Sequence, residues 1–380
     1  MAQGVHAMLA QPNHDELARQ EFMLHLRKES IVVARHGSRT VYEQRVEPGF
    51  RRAHGRPPKD RHEVRKAMER DFYGQFSGAL RLTQQEMMWD SVGASVERQI
   101  DDLMARAAQI GKRRKRGSLR LDPSLDLPRY VTAVDIHFMP GNYNTDLQPD
   151  DVFAGALYDR GAYLRGMGGG GPLLDNAGQS LARWLKAEHP SFKPRRILDV
   201  GCSIGHSAMG LLTEFPKADL YCIDIGAPML RYGHARAEAL GVPVHFSQQN
   251  AEKTDFADGY FDLIVGFAML HETSTRATHH IFREAHRLLA PGGLVLHYEG
   301  PPWNRMSDFD AAVHDWDTHY NAEPFIGKVH DLDPARIMAD AGFAASNYVD
   351  VYIPSAIQSG GPRGTTGSKP GMFWFFGGWR

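Results

Sequence analysis

The chain has 380 residues, with 44 Lys and Arg against 45 Asp and Glu and a formal net charge of −1. Its length favours one large domain plus an accessory region, and 42% hydrophobic with 23% charged residues is the composition of a globular chain. The balanced charge supplies no basic field for nucleic acid or an anionic membrane. No apolar run approaches the roughly 18 residues of a membrane span. Residues 1–14 lack a secretory pattern, and two cysteines, Cys202 and Cys222, fit a reducing cytoplasm.

Residues 12–28 read as a helix carrying Leu17, Phe22, Leu24 and Leu26. A short strand over 30–34 and a loop over 37–59, rich in Gly, Pro and Arg, are expected next. Asp60 with Glu63 matches a capping box for a helix through Ala67 and Met68. Thr83 with Glu86 matches a second, opening a long helix to about Ile110 with Val92, Val96, Ile100 and Leu103 at helical spacing. The basic run from Lys112 to Arg116 reads as a solvated helix end, because no aromatic residues are interleaved for base stacking. Residues 128–150 are too apolar and turn-rich for a linker and are expected to pack on or over the C-terminal domain. Gly166 to Gly171 would let a lid or joint move. The expected organisation is a mainly helical accessory region over 1–150, a glycine-rich lid or joint over 151–171, and a second domain over 172–380.

From residue 172 helices and strands alternate. Strands are expected near 196–200, 219–224, 243–247, 261–267, 294–299, 347–353 and 372–377. Helices are expected near 173–188, 206–215, 228–240, 275–289 and 335–341. This is the pattern of an α/β fold with a doubly wound, mostly parallel seven-stranded sheet. Residues 355–371 read as a loop between the last two strands.

The stretch from Arg196 to His206 organises that domain. Ile197, Leu198 and Val200 form a buried strand, Gly201 and Gly205 a sharp turn, and the next element is a helix whose first N–H groups are free. Asp224 closes the next strand, nineteen positions after Gly205, where an acidic residue takes ribose hydroxyls. The turn is Asp199-x-Gly201-x-Ser203-x-Gly205, without the GxGxxG of a pyrophosphate site. Asp199 would repel a phosphate and attract an ammonium group or a hydroxyl.

These residues resemble the first motif of the class I S-adenosylmethionine-dependent methyltransferases. The resemblance continues through Asp224, Gln249-Asn250-Ala251-Glu252, the strand Phe261 to Phe267, and the turn Ala290-Pro291-Gly292-Gly293, covering roughly 172–300. It implies S-adenosyl-L-methionine as cofactor. Asp199, Gly201, Ser203, Gly205 and Asp224 would hold its amino-acid and ribose parts, Asn250 and Ala251 its adenine, and Phe267 its methionine end. Asn250 departs from the acidic residue usual in the family, although an amide can still pair with an adenine edge. The family often covers the cofactor with a tyrosine-bearing segment, which by position implies Tyr158, with Asp159 and Tyr163 beside it.

Ligands of open α/β sheets lie beyond the carboxyl ends of the strands. The acceptor is therefore expected against residues 268–272 and 297–303, with His271 and Glu299 as candidate acid–base residues. Residues 301–332 form an insertion that would roof the acceptor pocket. His271-Glu272 and His279-His280 lack an HExxH spacing, so no metal is expected. The resulting expectation is a cytoplasmic methyltransferase acting on a small, partly apolar acceptor such as a phenol, a quinone-like compound or an isoprenoid. The N-terminal region would enclose the pocket or build a homodimer, with no membrane partner. Balanced charge disfavours a nucleic-acid methyltransferase, and the missing GxGxxG disfavours a nicotinamide oxidoreductase. A non-catalytic binding protein on the same scaffold is a further alternative that fold alone does not exclude.

Overall fold

The computed structural model describes residues 2–112, 116–357 and 371–380. The centre of the basic run and most of the 355–371 loop lie outside the described residues. The strands are β1 (Ser118–Arg120), β2 (Arg196–Val200), β3 (Asp219–Asp224), β4 (Val244–Gln248), β5 (Phe261–Phe267), β6 (Leu289–Glu299), β7 (Tyr348–Pro354) and β8 (Met372–Trp379). They form one sheet in the order β1-β4-β3-β2-β5-β6-β8-β7. All neighbours run parallel except β8, which is antiparallel to both β6 and β7. The chain leaves β2 toward β3 on one side and returns to β5 on the other, so the order reverses between β2 and β5. A crevice opens beyond the carboxyl ends at such a reversal.

The seven expected strands are the last seven of these, and β1 adds an eighth at the edge beside β4. Three residues with a single apolar side chain, Leu119, leave no alternating signal, so the pairing comes from the exposed edge of β4. β6 also begins earlier than 294, because Leu289 already pairs with Phe261 and the Pro291-Gly292-Gly293 turn is absorbed as an irregularity.

The N-terminal region departs from the local reading in two places. Residues expected as a strand over 30–34 and a loop over 37–59 are instead nearly continuous helix from His14 to His54, with wide turns at Val33–Gly37 and Tyr42–Val46. Asn13 and Glu16 cap its start reciprocally, and Gly55 ends it with a φ of 69°. Burial of Ala34, Ser38 and Val46 overrides the β preference of Ile31, Val32 and Val33. The helix expected from Thr83 to about Ile110 is two helices, Phe72–Glu97 and Ile100–Lys112. Its true cap is Asp71, whose carboxylate accepts the Tyr73 amide, which leaves Thr83 and Glu86 inside the helix. Asp60 does cap the Arg61–Glu69 helix, accepting from the Glu63 amide.

These helices share a core with the sheet domain. Met23, Met88, Trp89, Val92 and Val96 pack in one cluster with Leu157, Ile204, Met229 and Tyr232. The Phe153–Arg165 helix lies between the two halves, and its glycines permit the close approach. A Cβ on Gly155 would lie 2.3 Å from the Tyr232 side chain, and one on Gly161 would lie 2.2 Å from the Trp89 ring.

The same helix carries Asp159, which is 1% exposed. Its carboxylate receives His6 Nε2 at 3.0 Å, the Tyr232 hydroxyl at 2.9 Å, Arg236 Nε at 3.1 Å and Gln3 Nε2 at 3.1 Å. Burial would push the Asp159 carboxyl up, but the Arg236 charge and these hydrogen bonds hold it well below the usual carboxylate range. A depressed folded value adds stability that is present above the unfolded-state value and disappears as pH falls below it. Replacing Asp159 by Asn leaves Arg236 as an uncompensated buried charge, and breaking such a pair costs about 3–5 kcal/mol. Urea unfolding at neutral pH should show a loss of that size for Asp159→Asn. The gap between wild type and variant should narrow as pH falls through the acidic range; a gap below 1 kcal/mol at neutral pH, on the order of a surface pair, would contradict the buried ion pair.

Candidate active site

Two cavities open beyond the carboxyl ends of the central strands and meet at Ala268, which lines both. The first offers about 860 Å3 of open space between the turn after β2, the ends of β3 and β5, and residues 130–158. β2 is buried along most of its length, which carries Asp199 to 1% exposure at the cavity wall. Asp199 Oδ1 has no hydrogen-bond partner. Burial, and then the nearby Asp224, raise its carboxyl well above the usual range.

The turn after β2 is tight. Gly201, Ser203 and Gly205 have φ of 66°, 51° and 72°. A Cβ on Gly205 would come within 2.8 Å of the Phe246 ring, so the residue there must be glycine for packing as well as for φ. Asp224 holds the turn in place: its carboxylate accepts from the Ser203 amide at 2.8 Å and the Gly226 amide at 2.9 Å. Burial raises the Asp224 carboxyl against these bonds. Asn250 and Ala251 line the far side, where Asn250 Oδ1 caps its own turn by accepting the Glu252 amide at 2.9 Å. Phe267 lines the floor. Tyr158 covers the cavity edge-on to Tyr143, with ring centroids 5.9 Å apart, and lies 5.6 Å from the His206 ring.

The second cavity offers about 1460 Å3 of open space and is walled by the N-terminal helices, the ends of β5 and β6, and the 301–332 insertion. His271 stands in the short turn after β5 and Glu299 at the end of β6. Glu299 accepts the Leu270 amide at 2.7 Å through Oε1 and meets His271 Nδ1 at 2.7 Å through Oε2. Burial would lower the His271 imidazole, but the charge and hydrogen bond of Glu299, with Glu323, raise it to about 10. Burial likewise would raise Glu299, and His271 lowers it. Arg27, Arg35, Arg81 and Arg165 add four guanidinium groups to the wall, and Asp317 and Glu323 two further carboxyls. Beyond Ala34, Arg81, Val313 and Trp316, which line both, lies an apolar pocket bounded by Val64, Met68, Leu82 and Phe309.

All nine residues expected at the cofactor line the first cavity except Gly205, which shapes the turn from behind. His271 and Glu299 line the second. Asp159 belongs to the buried ion cluster and neither it nor Tyr163 lines either cavity. Sequence reasoning did not single out Tyr130, Tyr143 and His206 at the first cavity, or His137 and the four arginines at the second; Glu272, expected at the acceptor, lines the first cavity, and Asn321 and Glu323 belong to the insertion expected as a roof. The aromatic run of 130–143 was the signal for Tyr130 and Tyr143. The residues at the second cavity come from segments far apart in the chain. Among the described residues, no helix is long and apolar enough to cross a membrane.

A doubly wound sheet with a glycine turn, and acidic residues at the ends of β2 and β3, defines a cofactor-binding α/β domain. Residues 197–293 match the family model described as a methyltransferase domain. The chain is 34% identical over 110 residues to a demethylmenaquinone methyltransferase of Thermus thermophilus, covering 29% of this chain and 49% of that one. It is 30% identical over 150 residues to a ubiquinone/menaquinone biosynthesis C-methyltransferase of Bordetella avium, covering 38% and 56%. The chain thus spans about half the length of the curated relatives it matches. Among solved structures, a Haemonchus contortus N-methyltransferase in complex with S-adenosylhomocysteine aligns with a TM-score of 0.33 and 23% identity, covering 46% and 38%. Residues 197–293 thus match a methyltransferase domain, as the sequence resemblance implied. The first cavity fits S-adenosyl-L-methionine: the unpartnered Asp199 Oδ1 is a buried acceptor suited to an ammonium group, and Asp224 stands one strand away.

The turn can be tested without any ligand. Gly205→Ala should lose at least about 2 kcal/mol in urea unfolding, from a positive φ and contact with the Phe246 ring. An unchanged midpoint would show that the turn does not have this geometry.

Proposed function

We propose that the chain is a methyltransferase that moves the methyl group of S-adenosyl-L-methionine to a small acceptor with a polar reacting end and an apolar remainder. The observation that carries this is the meeting of two chemically distinct cavities at Ala268, one with the acidic residues of the glycine turn and the other with the His271–Glu299 pair. The bound cofactor supplies an electrophilic sulfonium methyl, so this chain's residues bind, align and exclude water.

In this reading Asp199 takes the ammonium group and Asp224 the ribose hydroxyls. Asn250 and Ala251 flank the adenine, and the backbone of Gly201, Ser203 and Gly205 passes close to the ligand. Tyr158 and Phe267 are walls, and aromatic faces beside a sulfonium also attract its charge. His271, held at Nδ1 by Glu299, directs Nε2 to the acceptor side and orients the acceptor. The apolar pocket beside Arg81 and Trp316 accommodates the acceptor's hydrocarbon part. This agrees with a quinone-like, phenolic or isoprenoid compound; one relative is named as a demethylmenaquinone methyltransferase and another as a ubiquinone/menaquinone biosynthesis C-methyltransferase.

Thermal shift is the first test. S-adenosylmethionine and S-adenosylhomocysteine at a hundred times their Kd should stabilise the protein by about 2.7 kcal/mol, and NADH and NADPH should not. Asp224→Ala should weaken cofactor binding by at least about 1 kcal/mol. No shift with either adenosyl compound would overturn the cofactor assignment. With a prenylated phenol or quinol as acceptor, His271→Ala should lower kcat by about 100-fold through lost orientation while cofactor affinity holds. Equal turnover in that variant would remove His271 from the acceptor site.

A further inference from the structure

Deep in the second cavity, side chains from three distant segments converge. His137 comes from the turn Ile136–Phe138, His271 from the turn after β5, and Glu323 from the 301–332 insertion. One ligand atom from each lies within 4.8 Å of the others. His137 Nδ1 is 2.5 Å from Glu323 Oε1, and His271 Nε2 is 3.9 Å from Glu323 Oε2. The far nitrogen of each ring faces a different carboxylate: His271 Nδ1 meets Glu299 at 2.7 Å, and His137 Nε2 meets Glu272 at 3.5 Å. His271 is thus backed by a hydrogen-bonded carboxylate on Nδ1, His137 Nε2 is a buried nitrogen without a hydrogen-bond partner, and both rings turn their other nitrogen to the Glu323 carboxylate. Metal-bound histidines are oriented as His271 is, with the outer carboxylate fixing tautomer and ring direction.

The ligands are also held in advance. His137 has a φ of 59° and Phe138 a φ of 54°, a conformation unusual for side chains of this size. The His137 carbonyl is clamped by Gln85 Nε2 at 2.7 Å and Trp89 Nε1 at 2.8 Å, both from the Phe72–Glu97 helix. Asn321, which also pairs with Gln85, donates to Glu323 Oε1 at 2.8 Å. Three carboxyl groups, Glu272, Glu299 and Glu323, stand around the two imidazoles and offer oxygen donors beside the ring nitrogens.

We propose that His137, His271 and Glu323 bind a first-row divalent transition metal such as Zn2+ or Fe2+, with an open coordination position facing the acceptor cavity. Two nitrogens and one carboxylate oxygen are the donor set of zinc and iron(II) sites that retain an exchangeable position. Magnesium and calcium prefer all-oxygen sets. Metal–ligand bonds of about 2.1 Å place ligand atoms at most about 4.2 Å apart, so a small rotation of the side chains closes the set. The open position would take an oxygen of the acceptor. The metal site stands on these side chains alone and does not depend on methyl transfer.

The test uses the full chain, stripped with a chelator and dialysed, then titrated with Zn2+ and with Mg2+ by calorimetry. Bound metal is counted by elemental analysis after gel filtration. One equivalent of Zn2+ per chain is expected, with Mg2+ binding at least 100-fold weaker. Glu323→Gln and His271→Ala should each lose at least 100-fold in Zn2+ affinity. Glu299→Gln should lose about 10- to 100-fold, as for removal of an outer carboxylate. Circular dichroism and the thermal shift with S-adenosylhomocysteine report whether each variant is folded. In the Co2+-loaded chain the visible absorption of a nitrogen-ligated centre should appear and be lost in Glu323→Gln. Absence of stoichiometric Zn2+ in the wild type, equal Mg2+ affinity, or unchanged Zn2+ affinity in a folded Glu323→Gln would each overturn the site. Metal is read here without turnover, so that failure leaves the cofactor reading standing, and a failed cofactor shift leaves the metal site standing.

Discussion

The carboxylate of Asp159 is the constraint on which the arrangement of both halves depends. It is buried where the chain's beginning, the Phe153–Arg165 helix and the Ala227–Leu240 helix come together, and it accepts from Gln3, His6, Tyr232 and Arg236. A charge in that position is tolerable only when its partners are all present. The pairing therefore specifies one docking of the N-terminal helices on the sheet domain. The surrounding cluster, from Met23 and Trp89 to Tyr232, supplies the apolar burial that makes this docking favourable.

That docking has a chemical consequence. Tyr130 and Tyr143 close the first cavity from the N-terminal side, and Tyr143 reaches across to Glu272 with a hydrogen bond of 3.0 Å. Arg27, Arg35, Arg81 and Gln85 close the second. Residues 1–150 thus share cavity walls with the sheet domain, and the second cavity is built as much from the helical region as from strand ends. Ala268, with a φ of 57° at the end of β5, is the point where the two chambers touch.

Legibility tracked the range of the interactions. The turn from Asp199 to Gly205, the acidic Asp224 and the alternating strands were readable because each is a local pattern: apolar runs of strand length, glycines where φ is positive, an acidic residue at a strand end. The His271–Glu299 pair was reachable by one further step, since both lie at carboxyl ends of adjacent strands. The errors arose where distant packing outweighed local preference. Ile31 to Val33 favour strand by propensity yet lie in helix beside Ala34, which is buried. Thr83 and Glu86 have the spacing of a cap, but Asp71 had already started that helix. His137, His271 and Glu323 become neighbours only when three segments fold together, so no spacing within one segment records their cluster.

The sequence by itself determined the fold class, the family of the 197–293 segment and the outline of the cofactor cleft. Those depend on periodicity and on short patterns that a backbone turn imposes on the residues within it. Only the tertiary structure decided how the N-terminal half contributes. It alone showed that Asp159 joins the two halves and lines neither cavity, that four arginines line the second cavity, and that His137 faces Glu323. Such pairings arise between residues separated by tens to hundreds of positions, and nothing in the local chain records them.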